Sequence, residues 1–178
     1  DAGDIIELCD MLRAAERPLI IAGGQVGGEL GRQALRTVSE VWSIPVAVAW
    51  RHQDIFDVAH PNFACHLAFN MPPLFKETLN EADLVVAIGT RLGDVVTQGY
   101  KIPEAPQPKQ KLVHVYNDVA PIGNVFETDL GIVADATETL LAVAQANAPQ
   151  QSDSTTLYPK LEQTAPSHAI PMVPPPPP

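Results

Sequence analysis

Apolar positions along this chain switch between two rhythms, one helical and one of short unbroken runs. Ile5, Leu8, Leu12 and Ala15 recur at helical spacing, with Asp4, Asp10 and Arg13 off that stripe. Arg17-Pro18 closes the helix, because proline disfavours helical backbone for the residue before it. Leu19-Ile20-Ile21-Ala22 follows and halts at Gly23-Gly24, a run that suits a strand buried on both faces. After a second glycine pair, Gly27-Gly28, the stripe Leu30, Ala34, Val38 and Val41 predicts another helix, and Pro45 to Ala49 a second strand. Leu74 to Leu79 reads as a helix whose first turn Pro72-Pro73 make irregular or fix. Leu84 to Ile88 is the strongest strand and stops at Gly89; Leu112 to Tyr116 and Leu130 to Ala134 complete five. Asp135 with Glu138 three residues on has capping-box spacing, and the last helix is expected to run to about Ala148.

Helices alternating with short apolar strands mean βαβ units. The expected fold is a doubly wound α/β domain, a mainly parallel Rossmann-like sheet with helices on both faces, over residues 1–148. Trp50 to Asn70 is a long connection without clear periodicity, of a length uncommon unless the segment does something. Beyond Ala148 nine of the 18 prolines fall within residues 149–178. That composition favours extended chain and reads as a linker or tail.

Composition narrows the partners. With 46% apolar residues the chain can build a core, and a formal net charge of -10 makes nucleic acid and anionic membrane poor partners. No apolar run approaches the roughly 20 residues of a membrane span. Cys9 and Cys65 match no zinc spacing and no disulfide framework, which suits buried free thiols in the cytoplasm. The opening Asp1-Ala2-Gly3-Asp4, with neither Met nor a basic signal region, suits a fragment better than a complete gene product.

Ligands of open parallel sheets bind at the carboxyl ends of strands, near a topological switch point. Three features fall at such ends. Gly23-Gly24-Gln25-Val26-Gly27-Gly28 joins a strand to a helix, where backbone can approach a phosphate. It is neither G-x-G-x-x-G nor a Walker sequence, and a plain turn explains it equally well. Gly89-Thr90-Arg91 follows the strongest strand, with Arg91 placed to grip a phosphate or stack on a base, or to pair with Asp94. Asp118 and Asp135 follow the last two strands, where a carboxylate can accept from ribose hydroxyls, although a helix cap is the simpler role for Asp135. Together these three features suggest a nucleotide site. His60 and His66 lack a helical metal-ligand spacing, His114 reads as a structural strand residue, and Asp54 and Asp57 as solvated loop charges. No metal site and no catalytic motif is legible.

The segments RPLIIAGG (17–24), IPVAVAW (44–50), HPNFACHL (60–67), ADLVVAIGTRLGD (82–94), QKLVHVYND (110–118) and IG (122–123) together change the picture. In this order and spacing they resemble the central domain of thiamine-diphosphate-dependent enzymes of the acetolactate synthase and pyruvate oxidase group. The resemblance covers about residues 1–148. It implies a parent acting on 2-keto acids, with thiamine diphosphate and magnesium held by two other α/β domains, a homo-oligomeric assembly, and a central domain inactive alone. In several members the central domain binds FAD. Carried over, the flavin-contacting positions fall on Gly23-Gly24, on Gly89-Thr90-Arg91, after the fourth strand near Asp118, and at Ala134-Asp135.

The chain departs from that pattern in three places. Acetolactate synthases usually show H-[VI]-D-I-D where this chain has His114-Val115-Tyr116-Asn117-Asp118. They carry a glycine-rich loop at Ala64-Cys65-His66-Leu67, and R-F-D-D-R at Arg91-Leu92-Gly93-Asp94-Val95. Weak or absent flavin binding is the expectation that follows. Two other readings fit less well: a freestanding nucleotide-binding module, which a linker-like tail does not suit, and a sirtuin-like deacetylase, which two isolated cysteines cannot supply with zinc.

Overall fold

The computed structural model describes residues 1–69, 71, 73–146 and 148; the expected linker 149–178 lies outside the described residues. Helix α1, Ala2–Ala14, starts on a reciprocal capping box between Asp1 and Asp4 and stops before Pro18. The Asp83 carboxylate accepts from the backbone of Glu16 at 2.7 Å and Arg17 at 2.9 Å. That tie fixes the turn into strand β1, Pro18–Ala22.

Then come α2 (Gly28–Trp42), β2 (Val46–Val48), a 3-10 turn at Gln53–Ile55, β3 (Phe63–His66) and α3 (Pro73–Glu81). Strand β4 (Leu84–Ile88), β5 (Lys111–Tyr116), β6 (Leu130–Val133) and α4 (Ala136–Gln145) complete the order. The six strands pair in the order β3-β2-β1-β4-β5-β6, all parallel. This is a doubly wound sheet, and its order reverses between β1 and β4.

Strand side chains alternate between two cores. Ile20, Val46, Val86 and Val113 face α1, α2 and α4; Leu19, Ile21, Val85 and Leu112 face α3 and the segment with Leu92 and Val96. Both faces are covered, so the central strands read as continuous apolar runs, with all five residues of β1 and of β4 buried.

Two expectations need adjustment. The aperiodic connection 50–70 contains a sixth strand, β3, at the edge of the sheet. It is four residues long, and its register with β2 shifts between Val46 and Ala47, so neither length nor alternation announces it. Helix α2 buries Ala34 and Val38 as expected but also Leu35 and Trp42, leaving Leu30 and Val41 exposed. The Trp42 indole donates to the Val143 carbonyl at 3.2 Å, turning that side of α2 toward α4. Cys9 and Cys65 are buried free thiols, and burial pushes Cys65 up to about 12.

Candidate functional site

The three strands at the switch region end in different devices. After β1, Gly23 passes so close to β4 that a Cβ on it would stand 2.6 Å from the Gly89 carbonyl oxygen. Gly89 has φ +65°, a conformation glycine adopts freely. The backbone N–H of Gly23 donates to Ile88, that of Gln25 to Gly89 and that of Val26 back to Gly23, at 2.9–3.1 Å. These glycines therefore serve the close packing of two strand ends, and those three amides are already bonded. The Gln25 side chain reaches across β4 to the end of β5. Its Nε2 donates to Asn117 Oδ1, and its Oε1 accepts from the Asn117 backbone at 3.1 Å.

After β4, the chain turns outward through Thr90 and Arg91. Two alternate residues of β5 hold this turn. Nε2 of His114 donates to the Thr90 carbonyl at 2.9 Å, since a carbonyl can only accept. Burial pushes the His114 pKa below its ordinary value, partly offset by that same bond. Arg91 Nε donates to the Tyr116 hydroxyl at 3.0 Å, and its guanidinium lies 5.9 Å from the centre of the Tyr116 ring. Tyr116, not Asp94, is the hydrogen-bond partner of Arg91. Leu92 follows at φ +50° with its side chain buried, a strained residue that anchors the turn.

After β2 comes Trp50-Arg51-His52, with Arg51 at φ +68°. These three strand ends enclose an open cleft of about 370 Å³, lined by Gly24, Trp50, His52, Thr90, Arg91 and Tyr116 among others. A larger groove of about 470 Å³ runs beside α2. Its arginines are already paired, Arg32 with Glu29 at 3.1 Å and Arg36 with Glu40 at 2.8 Å. The cleft at the switch point is the better candidate, because Arg91 there has a neutral partner.

Of the residues singled out in the sequence, the structure brings Gly24, Gly89, Thr90 and Arg91 together along this cleft, with Gly23 packed behind them. Asp118 and Asp135 stand at the next strand ends, outside the lining. Asp118 Oδ1 accepts from the Ala120 backbone at 2.9 Å, and Asp135 caps α4 by accepting from Glu138 at 3.0 Å. Gln25, His52 and Tyr116 were not legible as site residues. Gln25 sits inside the glycine motif and Tyr116 at the departure from the family pattern, whereas His52 carried no signal.

The family model for the thiamine pyrophosphate enzyme central domain matches residues 5–143. A probable acetolactate synthase large subunit of Methanocaldococcus jannaschii is 31% identical over 132 residues, 73% of this chain and 22% of that protein. A sulfoacetaldehyde acetyltransferase of Roseovarius nubinhibens is 34% identical over 133 residues, again 73% and 22%. The chain thus spans about a fifth of the length of these relatives. The thiamine diphosphate-dependent 4-hydroxybenzoylformate decarboxylase of Rhodococcus jostii RHA1 superposes with a TM-score of 0.66 at 21% identity. That superposition covers 88% of this chain and 29% of the decarboxylase, and it bears on the fold. By its match over nearly all of the sheet and its helices, the chain belongs to the thiamine pyrophosphate enzyme family as a central domain.

Proposed function

We propose that this domain works inside a larger acetolactate-synthase-like enzyme acting on 2-keto acids, where it spaces the catalytic domains and offers a nucleotide cleft but performs no chemistry alone. The observation that carries this is the central-domain match over residues 5–143, in a chain whose match spans about a fifth of the length of its relatives. Thiamine diphosphate and magnesium are the parent's cofactors in this reading. Among the described residues no three His, Cys, Asp or Glu converge to hold a metal ion. As the family resemblance implies, this reading assigns both cofactors to the parent's other domains.

The nucleotide contacts are proposed at Gly24, Gly89, Thr90 and Arg91, with Gly23 allowing the strand ends to approach. Asp118 and Asp135 are offered to ribose hydroxyls of a ligand that extends along the strand ends. FAD is the family's candidate ligand, but Tyr116 fills the end of β5 and holds Arg91, so weak flavin binding is proposed. Ile6, Phe69, Val119 and Val133 are exposed apolar side chains that other domains or a second subunit would cover. Two buried free thiols support a reducing cytoplasm. No helix of the described residues is long and apolar enough to cross a membrane.

The test is an assay of the purified chain with thiamine diphosphate, magnesium and pyruvate, followed by flavin fluorescence after adding FAD. No turnover and at most weak flavin retention are expected. Measurable turnover overturns the non-catalytic assignment, and tight stoichiometric FAD overturns the reading of Tyr116.

A further inference from the structure

We infer that the anionic end of the cleft's ligand is gripped by two side chains, His52 from the β2 side and Arg91 from the β4 side, rather than by the backbone amides of Gly23, Gln25 and Val26 between them. This rests on the reading of the cleft as a nucleotide site and adds how a phosphate is held there. In the sheet, β1 lies between β2 and β4, so its loop forms the floor of the cleft, with His52 and Arg91 on either side. A glycine loop that cradles phosphate needs free amides. Here the N–H groups of Gly23, Gln25 and Val26 are all bonded to backbone carbonyls. Freeing the first two would break the packing of β1 on β4, and freeing the third would open the turn after β1.

The side chains are better placed. The imidazole of His52 lies directly on Gly24, where an added Cβ would stand 2.7 Å from Nε2 and 3.1 Å from Nδ1. Gly24 is a glycine because a ring covers it. Neither nitrogen of that ring has a hydrogen-bond partner among the described residues. The half-buried ring is aimed by the Arg51 turn at φ +68° and by the His52 backbone donating to Ala49 at 3.1 Å. A left-handed residue other than glycine is a local strain found preferentially where a side chain must point one way. Arg91 uses Nε on Tyr116, which leaves the terminal amino groups of its fork for a ligand. Asp94 is the acid in the lining, so an anion entering there needs donors from both sides. A phosphate monoester or diphosphate, with oxygens facing several directions, meets that demand.

Titration calorimetry of the full chain with ADP, adenosine and inorganic pyrophosphate tests this, using His52→Leu, Gly24→Ala and the double variant. The backbone at Gly24 is not left-handed, so alanine fits it, and the three atoms nearest to its Cβ belong to the movable His52 ring. His52→Leu, which removes the donor, is expected to weaken ADP about tenfold, the loss of one hydrogen bond to a charged group. Gly24→Ala should do the same by displacing the ring, and the double variant should be no worse than either alone. Adenosine should bind all four proteins equally. Arg91→Met, a change on an exposed side chain, serves if His52→Leu fails to fold; it should also weaken ADP at least tenfold and leave adenosine unchanged. ADP affinity unchanged by all of these substitutions overturns the inference while leaving the nucleotide reading intact. Pyrophosphate binding lost in the variants, with no contribution from adenosine, supports the grip and removes the nucleotide. No binding of any probe to the unaltered chain overturns both.

Discussion

His114 and Tyr116 alternate along β5 and reach over to the same turn, one holding the carbonyl of Thr90 and the other the guanidinium of Arg91. The position of Arg91 is therefore set from a neighbouring strand. His114 also ties stability to pH. Burial lowers its folded pKa below the ordinary 6.5, and burial lowers that of His66 as well. Below about pH 6.5 the unfolded chain binds protons that the folded chain refuses, so stability must fall as pH drops through that value toward the lower folded pKa. The melting midpoint is expected to be level above about pH 7.5 and to decline toward pH 5.5. In His114→Gln, which keeps a donor for Thr90, the decline should be shallower; an identical decline would place the titrating group elsewhere. A lone histidine in a strand was readable as structural from sequence. Which carbonyl it holds was not, because Thr90 lies 24 residues away, in the turn that follows another strand.

Among the elements, α2 and α4 make the closest helix pair, and Gly31 is where they meet. A Cβ there would stand 2.8 Å from Thr137 Oγ1 on α4. Two effects compete on substitution. Glycine inside a helix costs roughly 1 kcal/mol against alanine, whereas added volume must push Thr137 aside. Gly31→Ala is expected to be near neutral, because one hydroxyl can rotate away. Gly31→Val adds branches that cannot be absorbed so, and should destabilise by about 1–3 kcal/mol. Denaturant melts of the two variants separate these cases, and equal stability would show that the helices can move apart freely. The sequence announces α2 by its period but misplaces part of its buried face. Leu30 and Val41 are as apolar as Leu35, and only the approach of α4, with the Trp42 to Val143 bond, selects the buried side.

For the whole molecule, charge matters more than any single pair. The formal net charge is -10, and the ion pairs lie on exposed side chains, many between residues three or four apart on one helix. Such pairs contribute little, so self-repulsion dominates the surface electrostatics. Raising salt from about 0.02 M to about 0.3 M shortens the screening length well below ~10 Å. The melting midpoint should then rise by roughly 2–4 °C, equivalent to about 1 kcal/mol at this length. A fall instead would mean that the ion pairs outweigh the repulsion.

The apolar runs and glycine stops were enough to specify five parallel strands, their helices and the loops at the switch point. A strand buried on both faces leaves that mark in its own residues. Strand β3 left none, because a four-residue edge strand is stabilised by pairing with β2 rather than by its own pattern. Likewise the glycines were visible and their purpose was not. Whether a loop amide is free for a phosphate depends on which carbonyl lies opposite, and Ile88 and Gly89 are brought there only when β4 packs beside β1.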